Sequence, residues 1–459
     1  MCRQVVILIS CLASLLSSDA RAQVRSETAA GIYPSDLGQE IPNELLVDPN
    51  SNDTFAVRGE DETLTPAAAQ IIGESEVKPT YPTVRITGFF QIDAGWIHQS
   101  PMNLFAVGDV QDGADFRRAR LAATGNVSER IPYMIEFDFA AAGLPSFMDV
   151  WFEVSDVVGS GDLRVGQFRQ PIGMDGLTSV KELTLIERAL PFSFLPFRQI
   201  GAMLYGTAHE EMMTWAVSTY RFPTDAYGGN IGDDGGYGLA TRMTALALDY
   251  GDSFLLHLGT AYSFADPSND RVQYQSQPEF FLAETGGSSL FPPDVLTTFP
   301  PFVNTGPIDT NYFNIYSAEA AARFGSLYMQ SEFVASAVNQ LDGDTAYFPG
   351  AYAYVGYLLT GEVRPYNRSG GVFGRVVPLC PIDSAGGSGA WEIAARWSFI
   401  DLDDAGIEGG RLEDVTLGVN WYLNQYAKVQ LNYIHAMLHQ VDTGASDADI
   451  IGLRGQVDF

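Results

Sequence analysis

The clearest pattern in this chain is an alternation of apolar and polar residues with a period of two, which begins at Val84 and recurs in segments up to the C-terminal Phe459. In the first segment the even positions are apolar: Val84, Ile86, Phe90, Ile92, Ala94 and Trp96. The odd positions are mainly polar, with Phe89 as the exception: Arg85, Thr87, Gln91 and Asp93. Because successive side chains of a β-strand point to opposite faces, the pattern predicts strands with one apolar and one polar face.

About sixteen such strands fit between Val84 and Phe459, and strands of about 9–11 residues are long enough to cross a bilayer. Short connections are expected at residues 128–130, 325–326 and 424–425, and long ones at residues 99–115, 171–199, 222–235, 265–310 and 437–447. Short turns on one side and long loops on the other are typical of transmembrane barrels. The chain is therefore predicted to be all-β, with a transmembrane antiparallel β-barrel of about sixteen strands over residues 83–459.

A soluble β-sandwich or solenoid would also show alternating residues. Two observations favour the barrel: Trp and Tyr residues lie near strand ends, as in the aromatic girdles of membrane barrels, and the last strand ends the chain on Phe459. In such a barrel one face of each strand meets lipid and the other lines a water-filled lumen.

The N-terminal segment predicts export. Arg3 precedes an apolar stretch at residues 5–16, and Ala20-Arg21-Ala22 provides small residues before a cleavage point, so residues 1–22 are predicted to be a signal peptide rather than a membrane anchor. Residues 23–82 are rich in acidic residues and proline and lack periodicity, which predicts a flexible acidic periplasmic lead-in. Together with the barrel, this predicts the bacterial outer membrane as the location and its lipid as a partner.

Composition and motifs exclude several other functions. The net charge of -30 argues against nucleic acid as a partner. Cleavage after residue 22 would leave only Cys380, so no disulfide framework is predicted. The motifs G-x-x-x-x-G-K-[ST], H-E-x-x-H and C-x-x-C are absent from the sequence, and His435 and His439 fall where a predicted strand leaves for a loop. We therefore predict no catalytic residues, no metal, no cofactor and no enzymatic activity.

Several segments resemble the phosphate-selective porin O and P family, and they occur in the order found in that family. The more specific stretches include Tyr357-Leu358-Leu359-Thr360-Gly361-Glu362-Val363-Arg364-Pro365-Tyr366 and Gly371-Val372-Phe373-Gly374-Arg375-Val376. Other similar segments are residues 116–121, 133–140, 163–173, 183–191, 389–392 and 414–422. The resemblance implies a homotrimer of sixteen-stranded outer-membrane barrels that passes anions passively, with phosphate or polyphosphate as the permeant ions.

Seven arginines fall on the predicted lumenal faces and are candidate anion contacts: Arg85, Arg118, Arg120, Arg164, Arg242, Arg396 and Arg454. Arginine stays charged and its planar fork matches phosphate oxygens, and a series of weak sites lets an ion enter and leave. The resemblance implies a ladder of lumenal arginines, for which Arg118 and Arg120 are the closest local match. The alternative is that these arginines brace the wall by pairing with acids on the same faces: Asp93, Glu136, Asp138, Asp149, Glu153, Glu319, Glu332, Glu392 and Asp458.

The long segment 171–199 follows the fifth predicted strand and is expected to fold inward and narrow the channel. Its candidate anion contacts are Thr178, Ser179, Lys181, Arg188 and Arg198. The alternative is a loop held by its apolar residues, with these charges in solvent.

The predicted loops at the channel mouth are acidic, which does not suit a collector of anions. Loops 222–235 and 265–310 carry Asp225, Asp233, Asp234, Asp266, Asp270, Glu279, Glu284, Asp294 and Asp309. Such a rim repels anions at low salt, although screening over about 8–10 Å weakens the effect at physiological ionic strength. The sequence therefore leaves two alternatives open: a general or cation-preferring diffusion porin, and a non-conducting barrel.

Overall fold

The computed structural model describes residues 80–140, 145–159, 161–280, 282 and 299–459, and within them sixteen long strands form one antiparallel barrel. The first eight are β1 Arg85–Gln99, β2 Gly113–Ser128, β3 Ile131–Asp138, β4 Ser146–Val158, β5 Gly161–Arg169, β6 Arg198–Ala208, β7 Met213–Arg221 and β8 Tyr237–Asp249. The last eight are β9 Leu255–Asp266, β10 Ile308–Phe324, β11 Leu327–Gln340, β12 Thr345–Leu358, β13 Ala390–Asp404, β14 Ile407–Tyr422, β15 Ala427–Gln440 and β16 Gly444–Asp458. The predicted fold class is confirmed.

The barrel closes by pairing its first and last strands. The ladder between β1 and β16 runs from Phe89 opposite Asp458 to Gln99 opposite Ala448. Phe459 extends it with a pair of backbone hydrogen bonds to Gly88, both 3.0 Å long. Closure leaves no unpaired edge between the first and last strands, as a lipid environment requires.

The predicted signal peptide, residues 1–22, and nearly all of the predicted lead-in, residues 23–82, lie outside the described residues. No helix in the described part of the chain is both long and apolar enough to cross a membrane. The helices are α1 Pro101–Val107 and α2 Met174–Leu177, with 3-10 turns at Leu190–Phe194 and Gly251–Ser253. Short strand pairs join Arg271–Val272 to β10, Gln275–Ser276 to Val303–Asn304, and Tyr366–Asn367 to Val372–Phe373.

The two faces of the strands follow the alternation in the sequence. On β1, Ile92 and Trp96 are exposed on the outer surface, whereas Gln91 and Asp93 are buried on the lumenal side. Phe89, the apolar exception, also faces the lumen, where it packs against Val180 and Leu183. Its side chain is therefore covered by a loop inside the barrel rather than by lipid.

The connections follow the predicted asymmetry in part, since short connections at residues 341–344, 405–406 and 441–443 also occur at the end of the barrel that carries the long loops. Short turns at residues 129–130, 209–212, 250–254, 325–326 and 423–426 lie at the end of the barrel where β1 begins and β16 ends. The prediction of a long loop over residues 437–447 is wrong: β15 continues to Gln440 and β16 starts at Gly444, because inward-facing Ala436, Leu438 and Ala448 extend the alternation. A further difference is a long connection at the turn end, residues 359–389 between β12 and β13.

Segments of three connections enter the lumen: residues 170–197 (the inward loop), residues 267–280 and 299–307 between β9 and β10, and residues 359–389 (the turn-side loop). Phe194 of the inward loop and Tyr274 and Phe302 of the second connection pack against Phe313 and Phe348 of the β9–β16 wall in a large apolar cluster. Burial of this much aromatic surface holds the two loops to that wall. The open space is consequently displaced toward the β1–β8 wall.

Candidate pore-lining site

A cavity of about 830 Å³ lies between the β1–β8 wall, the inward loop and the turn-side loop. It is reached by strand positions near the turn end of the barrel, such as Thr87 on β1 and Asp162 on β5. Seven cationic side chains line it: Arg120, Arg164, Arg169, Lys181, Arg198, Arg242 and Arg375. Four carboxylates line it: Glu136, Asp149, Asp162 and Glu182. The cavity lining is therefore cationic, although the chain as a whole is strongly acidic.

Two arginines flank the inward loop, one immediately before it and one immediately after it. Arg169 is the last residue of β5 and Arg198 the first of β6, and the two are directly opposite in the β5–β6 ladder. Like charges placed opposite each other destabilise a sheet. The arrangement is tolerated because Arg198 pairs with Asp149 at 3.0 Å, and Arg169 donates to the carbonyl oxygens of Leu177, at 2.8 Å, and Thr178.

Arg169 differs from the other strand arginines of the cavity in its partners. Within the part of the chain that the structure describes, no carboxylate oxygen lies within 4.0 Å of its guanidinium group. It is nevertheless only half-buried and lines the cavity. Arg169 is thus a cavity cation whose hydrogen-bond partners among the described residues are carbonyl oxygens, and the alternation in the sequence did not indicate it.

Three of the predicted lumenal arginines line the cavity, each beside an acid. Arg120 lies 2.7 Å from Asp138 and 3.6 Å from Glu136. Arg164 lies 2.9 Å from Glu153. Arg242 lies 2.6 Å from Glu319 and also donates to the backbone oxygens of residues 370 and 371 in the turn-side loop. These side chains both brace the wall and line the cavity.

The other predicted arginines do not line the cavity. Arg118 donates to Gln91 at 2.7 Å and to Glu187 at 3.1 Å, and Arg454 lies 2.6 Å from both Asp93 and Glu187. Arg396 donates through Nε to Glu279 at 2.8 Å. All three are buried, since the inward loop and Glu279 cover them. Arg85 is exposed at the turn end of β1.

Glu187 at the centre of this buried group is a residue that sequence reasoning missed. Burial alone would raise the pKa of its carboxyl group, but Arg117, Arg118 and Arg454 hold that pKa well below its ordinary value. Arg117 reaches the lumen because a bulge in β2, opposite Gln91 and Ile92, shifts the alternation there. Local alternation predicted Arg118 alone at this position.

The predicted anion contacts of the inward loop also form two groups, those that line the cavity and those that hydrogen-bond within the loop. Ser179 and Lys181 line the cavity, and Arg198 does so from β6. Thr178 instead donates to the carbonyl oxygen of Met174 at 2.8 Å. Arg188 donates to the carbonyl oxygens of Asp175, at 2.8 Å, and Thr178, at 2.6 Å, and burial lowers its pKa to about 9. Thr178 and Arg188 therefore hold the loop's own fold.

The turn-side loop also borders the cavity, through residues 367–375, and was not anticipated as a lumenal element. Its Arg375 lies 2.9 Å from Glu182 of the inward loop and 2.5 Å from Asp458 of β16. Lys181 lies 3.7 Å from the same Asp458. Arg364 of the turn-side loop is almost fully buried and donates to the Glu182 carbonyl oxygen. The available sequence signal was the length of the segment between β12 and β13 and its arginines.

The prediction of an acidic rim at the channel mouth needs one correction. Glu279 was assigned to the rim, but it is buried in the lumen, where it accepts hydrogen bonds from Arg396, Ser398 and Thr416. Its charge is thereby neutralised within the barrel. Asp225, Asp233 and Asp234 are exposed as expected, while Glu284 and Asp294 lie outside the described residues.

The closed barrel, its apolar outer surface and its charged lumenal cavity define the class of this protein: it is a β-barrel porin of the bacterial outer membrane. The family follows from comparison of sequences. Residues 84–459 match the model of the phosphate-selective porin O and P family, and the chain belongs to that family.

One named relative agrees with this assignment. The chain is 24% identical over 367 residues to Porin O of Pseudomonas aeruginosa, which covers 74% of this chain and 81% of that protein. It is 27% identical over 390 residues to an uncharacterised protein of Caulobacter vibrioides, covering 81% and 73% of the two chains. Among solved structures it is similar to the anion-selective porin from Comamonas acidovorans, with a TM-score of 0.50, 10% identity, and coverage of 82% of this chain and 99% of that one. The last likeness concerns the fold alone.

Proposed function

We propose that this porin conducts small anions, phosphate among them, passively through the cavity along the β1–β8 wall, and that it does so as a homotrimer. The observation that carries the proposal is the lining of the cavity, with seven cationic side chains against four carboxylates. The name of the family and that of Porin O support phosphate as a permeant ion. Family membership is also the support for the trimer and for export through a signal peptide.

The Arg169–Arg198 pair is the candidate selectivity element. An anion that approaches it meets two guanidinium groups from adjacent strands, whose N–H donors replace part of its hydration shell. Arg198 is already compensated by Asp149, whereas Arg169 has only carbonyl partners within hydrogen-bond distance among the described residues. The site therefore attracts an anion without binding it so tightly that the anion cannot leave.

The two lumenal loops set the width of the passage at this level. Ser179 and Lys181 face the cavity from the inward loop, and Arg375 faces it from the turn-side loop. Arg375 also holds the two loops together through Glu182. The narrowing between the two loops therefore carries two cations that are paired with Glu182 and Asp458, and an anion meets the hydroxyl group of Ser179 as an additional donor.

The proposal is tested by the reversal potential of the purified full-length protein in a planar bilayer with a KCl gradient. We expect the potential to report chloride preference, and phosphate added to both sides to reduce the chloride current. A clear preference for potassium would overturn the proposal. Absence of single-channel steps after verified insertion would instead support a non-conducting barrel.

A second candidate, a general or cation-preferring pore, is favoured by one observation. Asp225, Asp233 and Asp234 are exposed on the connection between β7 and β8, and a rim of this sign concentrates cations at low salt. Its field extends only about 8 Å at physiological ionic strength. The screening length reaches about 30 Å at about 0.01 M salt. A chloride preference that is weaker at this salt concentration than at physiological ionic strength would show that the rim contributes.

A further inference from the structure

The cavity presents apolar surfaces between its charges. Trp151, Tyr205 and Met134 are half-buried and line it. Phe89 and Met203 contribute smaller areas from the same side of the barrel. A passage specialised for a fully hydrated inorganic ion gains nothing from such surfaces, because they provide no donors to replace its water. Cavities of roughly 300–1,000 Å³ with apolar walls and a few placed charges are typical of sites for organic molecules.

The aromatic rings are arranged around the cations. The guanidinium carbon of Arg164 lies 4.1 Å from the ring centroid of Trp151 and 5.0 Å from that of Tyr205, so it is placed between two rings. Arg120 and Lys181 lie 5.5 Å and 5.8 Å from the ring of Phe89. Apolar rings and positive charges are therefore neighbours at two positions in the cavity, which suits a ligand that carries both an anionic and a planar apolar group.

The spacing along β4 connects one of these rings to the selectivity element. Asp149, which pairs with Arg198, and Trp151 are two residues apart on the lumenal face of β4, about 7 Å along the strand. Gly166 stands directly opposite Trp151 in the β4–β5 ladder and has no side chain, and the β5 side chain that lies over the indole is that of Arg164. One aromatic ring that carries a carboxylate spans this distance, with the carboxylate at Arg169 and Arg198 and the ring against Trp151.

We propose that the cavity is a binding site for aromatic carboxylates, which it favours over aliphatic carboxylates. The inference rests on the proposed anion-conducting function and names its substrate class. The carboxylate receives the guanidinium hydrogen bonds that any small anion would receive. The ring adds contact with Trp151 and Tyr205, and this contact distinguishes benzoate from acetate, whose charge is the same.

The test uses the full-length protein in planar bilayers and measures the concentration of added anion that halves the chloride current. Benzoate is expected to act at about a fivefold lower concentration than acetate, since one aromatic contact contributes that factor. Trp151→Leu, which keeps apolar volume and removes the ring, should reduce the ratio of benzoate to acetate toward one. Trp96→Leu, on the exposed outer face of β1, is the matched control and should leave the ratio unchanged.

Equal inhibition by benzoate and acetate in the unmodified protein would overturn the inference, as would a full benzoate preference in Trp151→Leu. If Trp151→Leu does not insert, Tyr205→Leu provides the second test, and the same reduction in the ratio is expected. The reversal potential in KCl alone, recorded before any organic anion is added, separates this failure from that of the proposed function. Chloride preference with no benzoate preference contradicts only the substrate class.

Discussion

Arg375 of the turn-side loop and Glu182 of the inward loop form an ion pair of 2.9 Å, which joins two segments that enter the lumen from opposite ends of the barrel. The same guanidinium group lies 2.5 Å from Asp458, the penultimate residue of the chain. One side chain thus connects both walls of the narrowing to the strand that closes the barrel.

Arg375→Ala should widen the narrowing, because the turn-side loop loses its ion pairs with Glu182 of the inward loop and with Asp458. Hydrogen bonds to charged groups contribute about 1.5–3 kcal/mol each, enough to free the loop tips without unfolding the barrel. We expect a larger single-channel conductance with more current noise. Arg411→Ala, which removes an exposed pair with Glu413 elsewhere on the barrel, is the control and should conduct normally. An unchanged conductance in Arg375→Ala would show that the apolar contacts alone hold the loops.

Arg169→Ala should lower the preference for chloride over potassium. The loss of one lumenal charge at an effective dielectric constant near 20 corresponds to at least about 1 kcal/mol, or about fivefold in the permeability ratio. The reversal potential in a KCl gradient measures the change. Arg169→Lys retains the charge and should recover most of the preference in KCl, but it should recover less of the phosphate inhibition, because lysine lacks the planar fork. Equal ratios in all three proteins would exclude Arg169 as a selectivity residue.

Arg118→Ala and Arg120→Ala should differ in their effects on ion selectivity and on stability. Arg120 lines the cavity, so its removal should weaken chloride preference. Arg118 is covered and pairs with Glu187, so its removal should leave selectivity nearly unchanged and lower the free energy of unfolding by about 3 kcal/mol, the lower end of the cost of breaking a buried pair. Reversal potentials and unfolding in denaturant distinguish the two. A loss of selectivity in Arg118→Ala without a loss of stability would contradict the assignment.

Glu187 should make the stability of the barrel depend on pH in the acidic range. Its pKa in the folded protein lies below the ordinary value of 4.5, so its stabilising effect is present above that value and is lost as the pH falls toward the folded-state pKa. The difference in unfolding free energy between the unmodified protein and Glu187→Gln should therefore be largest near neutral pH and should shrink below about pH 4.5. Asp233→Asn, at an exposed position, should show no such trend. A constant difference down to pH 3 would contradict the prediction.

The sequence predicted the faces of the strands well, because a two-residue period depends only on neighbours along the chain. Ile92 and Gln91 lie on opposite sides as expected, and even Phe89 was placed in the lumen. The sequence did not separate Arg118 from Arg120, because the residue that covers Arg118 is Glu187, 69 positions away. Alternation shows which residues face inward, but it does not show which loop lies above them.

The two residues that matter most for the proposal were missed for different reasons. Arg169 ends β5, where the lumenal alternation gives way to loop sequence, so its pairing with Arg198 depends on the register across a loop of residues 170–197. Arg375 lies in a segment that was identified only by its resemblance to a family. Its partners Glu182 and Asp458 are 193 and 83 positions away. Both cases need tertiary contacts that no local pattern contains.

The apolar cluster around Phe313 and Phe348 lies against one half of the barrel, and the two halves therefore have different roles. The β9–β16 half behaves as the interior of a soluble protein, so substitutions there should change folding and yield. The half formed by β1 to β8 borders the water and carries five of the seven cavity cations on its strands. The ion selectivity of related proteins can therefore change through substitutions in the β1–β8 half, while the β9–β16 half preserves the fold.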